Sequence, residues 1–114
     1  MTNHEYKRLI EHSNVLDHIT LDTTFKELIL HKQDLIATEI KRILTRNQIE
    51  KPVLHAKPYD TSTNYYVVDL RPDQIEEIVD MFGDLEVKNV SEHGETTAKA
   101  SFYGSMLDRW NNVI

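Results

Sequence analysis

Residues 64–83 read NYYVVDLRPDQIEEIVDMFG, and this stretch decides the predicted fold. Its first part, 65–70, is short, aromatic and β-branched, which is the composition of a strand. Pro72 ends the strand, because proline has no backbone N–H for a ladder and fits the first turn of a helix. The apolar residues that follow recur at i, i+3, i+4 and i+7, as on one side of a helix: Ile75, Ile78, Val79 and Phe82. Gly83 is expected to cap this helix in a left-handed conformation, so the stretch predicts a strand followed by a helix.

Three more segments are predicted to be strands, at 53–57, 85–89 and 97–103. The first is expected to form a hairpin with 65–70, and the other two a second hairpin. Tight hairpins make neighbouring strands antiparallel. The predicted fold is therefore α+β: N-terminal helices, then a four-stranded antiparallel sheet in ββαββ order, then a short C-terminal helix anchored by Trp110.

Two or three helices are predicted before the sheet. Two lie at 3–12 and 24–46, and Val15, Leu16 and Ile19 form either a further turn of helix or an apolar connector. Thr24 and Glu27 have the spacing of a capping box at the start of the longer one. The apolar pattern of that helix lapses at 31–34, so the helix either bends there or extends beyond the sheet. An apolar stripe that overhangs a small protein favours pairing with a second copy, and the sequence therefore predicts a homodimer.

Length and composition describe an ordinary folded chain. The 114 residues fit one domain, predicted over 1–114 with a helical part at 1–48 and a sheet part at 51–114. No apolar run approaches the roughly 20 residues that cross a bilayer, and no signal peptide is expected because no long apolar segment follows the N-terminus. Cysteine is absent, which excludes disulfides and thiolate chemistry and favours a reducing cytoplasm. Small size and a composition rich in Ile, Asn, Thr and Asp favour a bacterial source.

The net charge of −6 argues against binding to nucleic acid, whose phosphates are neutralised by Lys and Arg. The charge is uneven along the chain. Seven acids and one base lie within 69–86, whereas six bases and four acids lie within 26–51. The acidic segment is interpreted as a solvated helix face, with a surface for a basic partner as the alternative.

Four residues are candidates for a binding site, because the predicted register places them on one face of the sheet: His55, Tyr65, Asp69 and Tyr103. Tyrosine and histidine could hydrogen-bond or stack with a ligand there, and Asp69 at a strand end could act as a base. The alternatives are that the N-terminal helices cover this face or that it binds a protein.

Sequence motifs for catalysis are lacking. The six histidines include no His-x-x-x-His pair, so no metal site is predicted, and the three glycines form no phosphate-binding loop. No cofactor is therefore predicted. The sequence favours a small cytoplasmic, non-enzymatic binding or regulatory protein that acts through protein contacts. The alternatives are a small-molecule-binding domain or small enzyme that uses the open sheet face, and a nucleic-acid-binding protein that uses 26–51.

Overall fold

The computed structural model describes residues 2–50, 64–90, 94 and 97–113. These residues are mostly helical, with five helices and one two-stranded antiparallel sheet. The helices are α1 (Asn3–Ile10), α2 (His18–Leu30), α3 (Asp34–Arg46), α4 (Pro72–Lys88) and α5 (Ala98–Asn111), and the strands are β1 (Val15–Asp17) and β2 (Tyr65–Val67). The chain divides into two compact units, Met1–Asp69 and Leu70–Ile114, so the division falls before the last residue of the predicted strand 65–70. Two compact units can belong to one domain, so the single domain over 1–114 stays a prediction.

In the first unit, β2 is hydrogen-bonded along both of its edges. On one edge it pairs antiparallel with β1, with Tyr66 opposite Leu16. On the other edge Gln48 forms an isolated antiparallel bridge with the same Tyr66. Two backbone hydrogen bonds flank that bridge, from Ile49 N–H to the carbonyl of Tyr65 at 2.8 Å and from Val67 N–H to the carbonyl of Asn47 at 3.0 Å. The predicted strand thus exists, but it is shorter than predicted and lies between two extended partners.

The two segments that pair with β2 lie at the two ends of a helical hairpin, which α2 and α3 form. β1 leads directly into α2, and α3 ends one residue before Asn47. Asp17 caps the start of α2 by accepting hydrogen bonds from the backbone N–H of Thr20, at 3.3 Å, and from the Thr20 hydroxyl. The base of the hairpin is therefore fixed on both edges of β2, and the turn between α2 and α3 lies at its far end.

That turn shows that the predicted helix 24–46 is two helices, as the lapse in the apolar pattern allowed. Gln33 N–H donates to the carbonyl of Leu28 at 2.8 Å, and Lys32 N–H donates to the carbonyl of Ile29 at 3.1 Å. This pair of bonds is the Schellman motif that ends many helices. Lys32 occupies its left-handed position with φ of 59°, where glycine is the usual residue.

The described residues of the second unit form two helices, α4 and α5. The Phe82 and Tyr103 rings pack with their centroids 6.2 Å apart, and Trp110 is fully buried. The Thr97 side chain caps α5 by accepting a hydrogen bond from Ala100 N–H at 3.0 Å. The predicted C-terminal helix therefore begins much earlier than expected, and Trp110 is part of the core as predicted.

The predicted four-stranded sheet in ββαββ order is wrong. Residues 85–88, predicted as strand, are the last turn of α4, and 98–103 are the first half of α5. The buried residues of these segments follow the helical period when they are taken together with their neighbours: Ile75, Ile78, Phe82 and Leu85 on α4, and Ala100, Tyr103, Met106 and Trp110 on α5. Gly83 does not cap α4 but lies inside it. The predicted strand 53–57 lies outside the described residues.

We expect Lys32→Gly to raise the stability of the first unit by about 1 kcal/mol, because glycine adopts positive φ without the steric cost that a side chain brings. The matched control is Lys41→Gly, an exposed site inside α3, where glycine should cost about 1 kcal/mol. Urea unfolding followed by circular dichroism measures both. A loss of stability in both variants would indicate a continuous helix through 31–33.

We expect Gly83→Ala to stabilise the second unit by about 0.5–1 kcal/mol, because alanine is the better residue inside a helix. The added methyl group would meet no atom within 4 Å. Gly94→Ala is the control and should destabilise, because Gly94 has φ of 77°. The fluorescence of Trp110 during urea unfolding reports this unit, and destabilisation by Gly83→Ala would contradict the placement of Gly83 within α4.

Candidate functional site

The four residues predicted to share a sheet face are placed on different elements. Tyr65 lies half-buried on β2, and Asp69 follows that strand with an exposed carboxylate. Tyr103 is buried on α5 in the second unit, and His55 lies outside the described residues. The sheet face that would have brought them together is part of the incorrect fold prediction. A binding role for these residues stays a prediction without that geometric basis.

Asp69 is engaged in an ion pair that joins the end of β2 to α3. Its two carboxylate oxygens accept from the Arg42 guanidinium at 2.7 and 3.2 Å, a bidentate geometry. The Nε of Arg42 donates to Glu39 at 2.8 Å. The hydrogen bond from Arg42 holds the pKa of Asp69 below its usual value. A carboxylate whose pKa is lowered is a weaker base, so the geometry favours a structural role for Asp69 over the predicted role as a base.

The tyrosines of the first unit contact aromatic and imidazole rings. Tyr65 packs edge-on against Tyr6 with ring centroids 6.4 Å apart. The hydroxyl of the buried Tyr66 lies 3.3 Å from Nδ1 of His18, the first residue of α2. Burial, and then the neighbouring Tyr65, raises the pKa of Tyr6. Within the described ranges, no group of three or more His, Asp or Glu side chains is arranged to hold a metal ion.

Among the described residues of the first unit, the most exposed large apolar side chains lie on the α2–α3 hairpin. We call them the outer hairpin surface, which consists of Ile19 (50% exposed), Ile29 (47%), Leu30 (73%) and Leu35 (86%). Leu30 is the last residue of α2 and Leu35 is in the first turn of α3, so both are at the far end of the hairpin. The sequence analysis assigned Ile29 and Leu35 to the apolar stripe of one long helix. In the structure that helix is split at 31–33, and both side chains are exposed.

Charged side chains border this surface. Lys26 pairs with Asp22 one turn away at 3.0 Å, and His31 lies 3.5 Å from Glu27. The surface thus combines exposed apolar side chains with charged ones that lie between and beside them. Single exposed leucines are normal on protein surfaces, whereas Leu30 and Leu35 are both exposed on the two sides of one turn.

The structure also shows where the acidic and basic segments of the sequence lie. Glu76, Glu77, Asp80 and Asp84 lie on the exposed side of α4, opposite its buried stripe, as a solvated acidic helix face would. In the basic segment 26–51, Lys26 and Arg42 are paired with acids. Their positive charge is therefore partly neutralised within the protein, which reduces what this segment offers to a phosphate backbone.

None of the described helices has both the length and the apolar character that spanning a bilayer requires. No protein-family model, curated protein or solved structure matches the chain. The candidate site therefore depends on the geometry of the outer hairpin surface alone.

We expect Asp69→Asn to lower stability near pH 7 by about 0.5–1 kcal/mol, the range of partly exposed ion pairs. Because the pKa of Asp69 is lower in the folded than in the unfolded chain, its stabilising contribution is present above the ordinary value of 3.8 and is lost as the pH falls below it. The difference between the two proteins should thus shrink as the pH falls below 3.8 and vanish once Asp69 is protonated in the folded chain as well. Urea unfolding at several pH values measures it, with Asp84→Asn on the exposed face of α4 as control. A difference that is independent of pH would contradict the ion pair.

Proposed function

We propose that the protein is a non-enzymatic binding or regulatory protein that acts through protein contacts made by the outer hairpin surface. The single observation that carries this proposal is the exposure of Leu30 and Leu35 together at the far end of the hairpin. Removing a leucine side chain from water contributes roughly 1.5–3 kcal/mol, so burying these two residues would favour a contact and offset part of the cost of association.

The anchorage of the hairpin supports the same proposal. Both ends of the hairpin are hydrogen-bonded to β2, and the Arg42–Asp69 pair adds a third connection at its base. A surface carried on a fixed element loses little conformational entropy when a partner binds. The partner is either a different protein or a second copy of this chain, as in the predicted homodimer.

The proposed location is the cytoplasm. The support is chemical: a chain without cysteine has no requirement for an oxidising compartment. The two alternative functions have less support, since the open sheet face of a ligand-binding domain belonged to the incorrect fold and two of the bases in 26–51 are paired with acids.

We expect the double variant Leu30→Gln, Leu35→Gln to lose its protein partner. The tagged protein and the variant are used to capture proteins, including an untagged copy of the chain, from an extract of the cells that produce it. Retention of the partner should fall at least tenfold, since about 1.4 kcal/mol corresponds to a factor of ten. Circular dichroism should show the same helix content in both.

Val87→Gln is the matched control, because Val87 is also 73% exposed but lies on α4 in the second unit. It should retain the partner. Equal retention by the wild-type protein and the double variant would exclude the outer hairpin surface as the binding site.

A further inference from the structure

Four residues form one stripe along the outer side of α2, and their spacing is the same in both directions along the chain. The stripe consists of Ile19, Thr23, Lys26 and Leu30, separated by four, three and four residues. Side chains at these intervals lie on one side of a helix, in a row along its axis. The two ends of the stripe are apolar and at least half exposed, and its middle is polar. The stripe therefore has the symmetry that a two-fold axis requires.

We infer that this stripe binds the same stripe of a second copy, with the two α2 helices antiparallel about a two-fold axis between Thr23 and Lys26. In this arrangement Ile19 of each copy faces Leu30 of the other, so both exposed apolar ends are buried. The inference rests on the proposed function, for which it specifies the partner and the contact.

The charges on α2 favour a second copy as the occupant. Asp22 lies beside the stripe and pairs with Lys26 of its own helix at 3.0 Å, and the side chain of Lys26 is 71% exposed. Antiparallel pairing brings Asp22 of one copy next to Lys26 of the other, so that each lysine has two carboxylate neighbours. Parallel pairing in register would instead place Lys26 against Lys26, which repels. An interface between identical surfaces must be complementary to itself, and the antiparallel arrangement satisfies this condition.

The size of the surface sets the strength of the contact. Twelve residues of helix extend about 18 Å, which is short compared with an interface that buries about 1,200–2,000 Å². Ile29 and Leu35 extend the apolar area at each end. The dimer should therefore be reversible and populated at micromolar concentrations of the chain.

Disulfide cross-linking tests the register directly, because the chain has no cysteine of its own and introduced thiols are the only ones present. Tagged Ile19→Cys is mixed with untagged Leu30→Cys at about 100 micromolar and oxidised briefly. The mixture should form the cross-linked heterodimer at least ten times faster than either variant alone forms a homodimer. Val87→Cys, mixed with Ile19→Cys, is the matched control and should cross-link at the background rate.

Light scattering of the unmodified chain at the same concentration separates the possible failures. A dimer whose Ile19→Cys and Leu30→Cys variants cross-link no faster than the control overturns the antiparallel α2 contact but leaves a protein-binding hairpin intact. A monomer also overturns the inference, and the capture experiment with Leu30→Gln, Leu35→Gln then decides whether the hairpin binds a different protein. Fast homodimer formation by Ile19→Cys alone would indicate the parallel arrangement and would overturn the inference as well.

Discussion

The first unit depends on the hydrogen bonding of β2 along both edges. A strand in the middle of three extended segments satisfies its backbone donors and acceptors without solvent, which allows Tyr66 to be almost completely buried. One partner precedes α2 and the other follows α3, so the same strand fixes both ends of the helical hairpin. The position of the hairpin is thus determined by main-chain pairing at its base.

The apolar residues of the hairpin fall into two groups according to the side of the helix on which they lie. Leu21, Leu28, Ile40 and Ile43 are fully buried, whereas Leu30 and Leu35 are exposed although Leu28 and Ile36, their near neighbours in the sequence, are buried. The exposure therefore follows from the direction of each side chain, because residues one or two positions apart lie on different sides of a helix.

The sequence predicted the local elements better than their arrangement. The strand at 65–67, the helix after Pro72, the helix at the N-terminus and the buried Trp110 follow from local composition and period. The strands at 85–89 and 97–103 were wrong because a window of five to seven residues fits both periods, and only the longer window from Ile75 to Leu85 or from Ala100 to Trp110 shows the helical one. The partners of β2 could not be predicted, since Leu16 and Gln48 lie far from it in the sequence. The lapse in the apolar pattern at 31–34 allowed a bend, but a lysine at the left-handed position gives no glycine signal for a complete turn, and the candidate site beside that turn was missed.

The pairing of Leu16 with Tyr66 also determines the order in which the two units can fold. About 50 residues separate these strands, so closing that loop costs more chain entropy than any contact within the α4–α5 pair, whose helices are neighbours in sequence. During synthesis, α2 and α3 leave the ribosome before the strand that fastens their base. Until Tyr66 has been added, the nascent hairpin has no strand between its two ends, and this interval is when its base is most open to chaperones and to aggregation.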